Sequence, residues 1–285
     1  GGQRARTAPM PIDPSIVGRK LDPIPGEWTE KDVMLYALGV GETSLPFCYE
    51  RDLKVLPTFA VVPPFPAMFT IGGAMNVNPM MILHGEQRIE LAGPIPTRAK
   101  VTSQPQVVAL YDKVKGAVVV VEVETRDEKG TLLFKNTFTV FARGEGGFGG
   151  DRGPTGPKNE PPSRAPDAVE EMTTAEHQAL LYRLSGDTNP LHADPDMAAL
   201  GGYPKPILHG LCTFGHVGRA ILHRFCGSDP ARLEDFEVRF SGVVYPGETI
   251  VTEMWRASPT RVIVQAKTKE RGEVVLSSAA ATIAG

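Results

Sequence analysis

Residues 182–192 read Tyr182-Arg-Leu-Ser-Gly-Asp187-Thr-Asn189-Pro190-Leu-His192. A carboxylate and an imidazole stand on either side of Asn189 and Pro190. Side chains at that spacing do not share a face of a continuous helix. Pro190 also disfavours helical geometry at Asn189. The segment is expected to be a helix end running into a turn, which can aim Asp187 and His192 at one point. A carboxylate and an imidazole around a common water can act as an acid/base pair. The same letters also read as a plain helix stop, with Gly186 after the helix, Asn-Pro beyond it and His192 at the surface.

The chain repeats itself around this stretch. Glu30-Lys-Asp-Val-Met-Leu-Tyr36 runs parallel to Glu176-His-Gln-Ala-Leu-Leu-Tyr182, which pairs Tyr36 with Tyr182 at an offset of 146. Leu56-Pro-Thr-Phe pairs with Lys205-Pro-Ile-Leu at 149, and Pro96 with Pro246 at 150. Preserved order with slowly drifting offset is expected of a duplicated unit with small loop changes. Between the copies, residues 143–171 are rich in Gly, Pro and charge and read as a linker, mobile or draped over the surface. The expected division is an N-terminal unit over 1–142, the linker over 143–171 and a C-terminal unit over 172–285.

Each copy reads as helices followed by strands. In the second, Thr173 or Thr174 is expected to cap a short helix carrying Leu180, Leu181 and Leu184. A longer helix is predicted over 210–226, where Leu211, Phe214, Val217, Ile221, Leu222 and Phe225 recur at helical spacing. Gly227 is its expected stop. Gly215 and Gly218 cost roughly 1 kcal/mol each inside a helix, tolerable if that helix packs very close to a sheet. Strands are predicted over 236–245, 249–257, 261–269 and 273–283. The first copy is expected to repeat them over 87–91, 99–111, 117–125 and 132–141. A long helix followed by an antiparallel sheet is an α+β layout.

Composition sets the frame. The 285 residues are 41% hydrophobic and 22% charged, as for a globular protein with a sizeable core. Net charge is −3, which argues against nucleic acid as a main partner. No apolar run approaches the roughly 18–20 residues that span a bilayer. Cys48, Cys212 and Cys226 suggest a reducing compartment without a disulfide framework. His216 and His223 could share a helix face, but no third ligand stands near and a metal site is not expected there. The start, Gly-Gly-Gln-Arg-Ala-Arg, has no secretory pattern, and its lack of an initiator Met is expected of a processed or excised chain.

The run from Tyr182 to His192 resembles the hydratase 2 motif of the MaoC-like dehydratases, an aromatic residue followed by Ser-Gly-Asp-x-Asn-Pro-aliphatic-His. With the duplicated helix-and-sheet pattern, nearly the whole chain from Trp28 onward resembles the eukaryotic-type, double hot-dog 2-enoyl-CoA hydratase 2. The resemblance implies (3R)-specific hydration of trans-2-enoyl-CoA in β-oxidation or related acyl-CoA metabolism. It implies Asp187 and His192 as the catalytic pair, the Gly210 N–H as oxyanion donor and Asn189 as orienting loop or substrate. His84 and Gly85 in Leu83-His-Gly-Glu-Gln, Lys113 after Asp112, and Phe240 in Arg-Phe-Ser-Gly would meet acyl-CoA. Glu50 and Arg183 would be supporting residues.

The repeat serves as an internal control. Asp187 falls opposite Gly41, His192 opposite Pro46, and His209-Gly210 opposite Ala60-Val61. One active site per chain is therefore expected, in the second copy, with the first binding the acyl chain. Met68, Met75, Met80 and Met81 there offer either an adaptable apolar site or ordinary core. No cofactor is expected beyond the CoA carried by the substrate. A homodimer is expected, and fusion to or association with a 3-hydroxyacyl-CoA dehydrogenase, as in some relatives. The chain ends Thr-Ile-Ala-Gly, not a peroxisomal tripeptide, so peroxisomal matrix and bacterial cytoplasm both stay open. Competing functions are a dehydratase of carrier-protein or polyketide thioesters, a hot-dog thioesterase, and a non-catalytic acyl-CoA binding module.

Overall fold

A computed structural model describes residues 12–78 and 81–285. Met80 and the chain start lie outside them. In chain order the elements are β1 (Ile24–Trp28), α1 (Glu30–Gly39), α2 (Leu45–Cys48), α3 (Ala67–Met75), β2 (Ile82–Leu91), β3 (Ala99–Asp112), β4 (Gly116–Asp127) and β5 (Leu132–Arg143). Then follow β6 (Ala168–Thr173), α4 (Gln178–Tyr182), α5 (Pro195–Leu200), α6 (Gly210–Phe225), β7 (Leu233–Phe240), β8 (Thr249–Ser258), β9 (Arg261–Thr268) and β10 (Val274–Ile283).

The strands form one antiparallel sheet in the order β1-β3-β4-β5-β2-β7-β10-β9-β8-β6. Read outward from the central β2/β7 pair, the two halves have the same topology. The expected tandem of two units, each a sheet against helices, is what the strand order describes. The halves join through five residue pairs, Glu86↔Arg239 to Glu90↔Asp235. Period-two burial along β4 and β5 shows why the sheet holds: alternate residues such as Val119, Val121, Val123, Phe134 and Val140 are buried.

The helix α6 spans the predicted stretch, and Gly227 follows it at φ +59°. Its apolar stripe is buried against the second half of the sheet, with Phe214 stacked on Phe236 at 4.5 Å. Gly215 and Gly218 do mark close approach, and although Gly218 also faces Phe236 of the sheet, the tightest contacts lie elsewhere. A Cβ on Gly215 would lie 2.4 Å from Val40 Cγ1, and one on Gly218 2.4 Å from Thr58 Cγ2. Both neighbours belong to the first half, so α6 is the element against which the first half docks. The corresponding helix of the first half, α3, is shorter and packs with Val107, Val121 and Val140 in a separate core.

Two expectations are corrected here. Neither Thr173 nor Thr174 caps α4: His177 holds the N-cap position, and Thr174 Oγ1 instead donates to Glu248 O and accepts from Gly247 N–H. The buried face of α4 is Gln178, Ala179 and Tyr182, while Leu180 and Leu184 are exposed. Gln178 Nε2 donates to Gly39 O at 2.6 Å, so this helix pins the open end of α1 across the two halves. The second correction concerns the linker, which is irregular only over 144–167, because 168–171 already pair in β6. It is draped rather than loose. The buried Asp112 carboxylate accepts N–H bonds from Gly147 and Gly149, and Glu237 holds Lys158 and Asn159.

Candidate active site

The motif loop is built from short hydrogen-bonded turns. After α4, Arg183–Ser185 forms a single tight turn that Gly186 ends at φ +128°, a conformation that a side chain disfavours. Asp187 Oδ1 accepts the N–H of Asn189, and Asn189 Oδ1 accepts that of Leu191. These nested turns are what Asp and Asn favour before proline. Asn189 is exposed with its side-chain oxygen committed to the turn. His192 closes the second turn and is buried.

His192 Nδ1 lies 2.9 Å from Ile207 O. A carbonyl only accepts, so Nδ1 carries the proton of the neutral ring and Nε2 keeps its lone pair. Burial pushes Asp187 above the usual carboxylate range, and the neighbouring imidazole opposes this only in part. Burial likewise pushes His192 below its ordinary value. The pocket thus disfavours the charged form of both groups.

A third residue, not assigned a role from sequence, joins them. His209 is buried, holds the N-cap position of α6, and places Nε2 3.0 Å from the main-chain oxygen of Asp187. Its ring stacks on His192 at 3.8 Å and 25° and lies 4.7 Å from the Tyr182 ring. The signal available in the sequence was its place before Gly210, opposite Ala60 of the first copy. Asp187, His192 and His209 offer ligand atoms within 4.8 Å of one another. Stacked rings, however, aim their lone pairs along near-parallel planes, so one ion cannot lie in the plane of both. The cluster suits proton transfer better than metal binding.

Gly210 opens α6, so its N–H has no intrahelical acceptor and lies at the positive end of the dipole. The Phe240 ring lies against it, and His84 packs on that ring at 4.7 Å. Burial lowers the His84 imidazole to about 4. Gly85 makes a bulge in β2 just where its pairing with β7 stops, so the seam between the halves opens between Gly85 and Phe240. Both line a cavity of about 670 Å³ on the sheet, together with Lys113, Arg88 and Arg239 and covered by 154–158 of the linker. Lys113 Nζ donates to Arg152 O and to Pro154 O. A second cavity, of about 260 Å³, is lined by Trp28, Leu35, Phe59, Phe65 and, beside Asp187, by Ser185 and Gly186.

Of the remaining candidates, Arg183 stands near His209 and the others lie apart. Glu50 is exposed and lines neither cavity; the carboxylate buried in its neighbourhood is Glu42. Arg183 is half-buried in the turn before Gly186, its Nε without a partner. Met75 and Met68 pack in the first-half core and Met81 is exposed, so the Met stripe is mainly ordinary packing. Among the described residues, no helix is long and apolar enough to cross a membrane.

Residues 27–144 match the family described as MFE-2 hydratase 2 N-terminal domain, and 157–279 match the MaoC like domain. A probable enoyl-CoA hydratase 2 of Dictyostelium discoideum is 45% identical over 281 residues, covering 94% of this chain and 95% of that protein. A peroxisomal hydratase-dehydrogenase-epimerase of Neurospora crassa is 45% identical over 271 residues, 90% of this chain and 30% of that longer protein. The crystal structure of a MaoC-like dehydratase from Phytophthora capsici superposes with a TM-score of 0.89 at 35% identity, over 96% of this chain and 98% of that one. The chain belongs to the MaoC-like, double hot-dog enoyl-CoA hydratase 2 family.

Proposed function

We propose that this protein adds water to trans-2-enoyl-CoA to give (3R)-3-hydroxyacyl-CoA, with Asp187 and His192 as the proton-transfer pair. The observation that carries the reading is that pair, a half-buried carboxylate and a buried imidazole beside the free N-terminus of α6, in a chain of this family.

In the proposed cycle, His192 Nε2 takes a proton from the substrate water as its oxygen attacks C3. The thioester oxygen, gaining enolate character, accepts the Gly210 N–H. Protonated Asp187 gives its proton to C2 from the same side, and the imidazolium then returns its proton to the carboxylate. Water and thioester are the only reactants. A placed general acid/base contributes about 10²–10⁴-fold, and one oxyanion donor about 3–4 kcal/mol.

Geometry also suggests how the thioester lies. The CoA moiety would occupy the cavity on the sheet, where the contacts of Lys113 are carbonyls and the Tyr111 ring, leaving its charge for a phosphate. The reactive end would pass between Gly85 and Phe240 to Gly210. The cavity beside Gly186, lined largely by the first half, would take the acyl chain. Association with a dehydrogenase and a peroxisomal location, both named for the Neurospora relative, are part of this reading.

The test is turnover of trans-2-enoyl-CoA of varied length with chiral analysis of the product, alongside Asp187→Asn and His192→Gln. Loss of hydration in both folded variants, with a (3R) product from wild type, is expected. Near-full activity in either variant overturns the reading. A strong preference for carrier-protein thioesters, or release of free thiol, would move the protein to the dehydratase or thioesterase alternatives.

A further inference from the structure

We infer that His209 is a positioning residue of this site, holding Asp187 and His192 in register with each other and with Gly210. The inference rests on the hydratase reading above.

Three contacts carry it. His209 Nε2–H donates to the main-chain oxygen of Asp187 at 3.0 Å, which fixes the backbone from which the carboxylate projects. Its ring covers a face of His192 at 3.8 Å. Its own backbone forms the N-cap of α6, so Gly210 follows directly. One side chain therefore links acid, base and oxyanion donor. Asp187 needs such an anchor, because it sits between Gly186 and the exposed Thr188 and Asn189.

The duplicated half separates this role from folding. Both halves share one strand topology and a buried tyrosine before the loop, Tyr36 and Tyr182. The half with Gly41 and Pro46 in place of the acid and base has Ala60 in place of His209. In the structure Ala60 lies in the tight turn Pro57–Val61, ahead of the start of α3, and as an alanine places no ring against the loop over 41–46. Here the third ring is present where the catalytic pair is present.

The stack also controls charge. Around His192 stand Asp187 and His209; around His209 stand Tyr182 and Arg183. Burial holds His209 down to about 3, so it presents a neutral face to His192. Removing the ring admits water, weakens the desolvation of His192 and lets its pKa climb toward the ordinary histidine value.

Two substitutions divide the contacts. His209→Phe keeps a stacked ring without the donor; kcat should fall about 10–100-fold, the cost of a displaced group, with KM changed by less than about twofold. His209→Gln keeps a donor without the ring; the acid limb of kcat/KM should move to higher pH. Wild-type kcat and pH profile in both variants, with His192→Gln inactive, overturn the role of His209 alone. An active His192→Gln variant overturns the hydratase reading itself. Nitrogen NMR of the imidazoles in the wild-type protein gives a check independent of variant folding. His209 should stay neutral and protonated on Nε2 down to about pH 5, and titration near the ordinary histidine value overturns the inference.

Discussion

The Phe240 ring lies so close over Gly210 that a Cβ on residue 210 would stand 3.0 Å from Phe240 Cδ1. The helix start that offers the Gly210 N–H to the thioester oxygen in the proposed cycle thus lies against an aromatic ring. Gly210→Ala should push ring and helix start apart and lower kcat on the order of 10²-fold, the usual loss for an oxyanion donor. Thermal unfolding should change little, since residue 210 is exposed. A kcat near wild type in a steady-state assay would remove Gly210 from the chemistry.

Glu42 should carry stability. Burial alone would raise its carboxyl, but hydrogen bonds from His223 and Ser44 and the Arg219 charge outweigh that and hold it well below 4.5. A folded-state value below the unfolded one contributes stability that is present above about pH 4.5 and lost as pH falls through the carboxylate range. Glu42→Gln leaves half-buried Arg219 without its carboxylate and should cost about 3 kcal/mol near neutrality. Denaturant titrations of the two proteins should converge in acid. A constant gap down to about pH 3 would contradict this account.

Gly218 should be intolerant for a reason located in the other half. Its missing Cβ is 2.4 Å from Thr58 Cγ2, and Thr58 Oγ1 accepts the Tyr36 hydroxyl. Gly218→Ala should destabilise by about 1–3 kcal/mol, as overpacking does. Adding Thr58→Ser, which deletes the clashing methyl and keeps the hydroxyl, should recover much of that in a double-mutant cycle. Additive losses would mean that the methyl is not the obstacle.

Lys113→Ala tests the placement of CoA. With the ammonium lost from the cavity rim, KM for the CoA thioester should rise about 5–10-fold while kcat changes little, the pattern of lost uniform binding. A short pantetheine thioester, lacking the distal phosphates, should not distinguish the variant from wild type. Equal KM shifts for both thioesters would argue for damage to the linker, which Lys113 also holds.

Local letters revealed much of this. Gly186 ends the helical run where a glycine stop is expected, Pro190 opens the next tight turn, and spacing from Leu211 to Phe225 marked α6 almost to the residue. Alternation marked the strands, but β7 ends at Phe240 rather than 245, because beyond it the seam opens toward the site. Thr174 looked like a cap and is instead spent on the Glu248 turn, a contact that arises only when β6 and β8 pair.

Sequence alone thus determined the repeated order of elements, the turn carrying Asp187 and His192, and the loss of their counterparts in the first half. These depend on neighbours along the chain: dihedral limits, spacing and residue type. Tertiary structure decided that Gly215 and Gly218 make their tightest contacts with the other half, that His209 stacks on His192, and that Gly85 and Phe240 open the seam above Gly210. Such relations join residues as distant in sequence as Val40 and Gly215, where burial and close packing rather than local propensity select the contact.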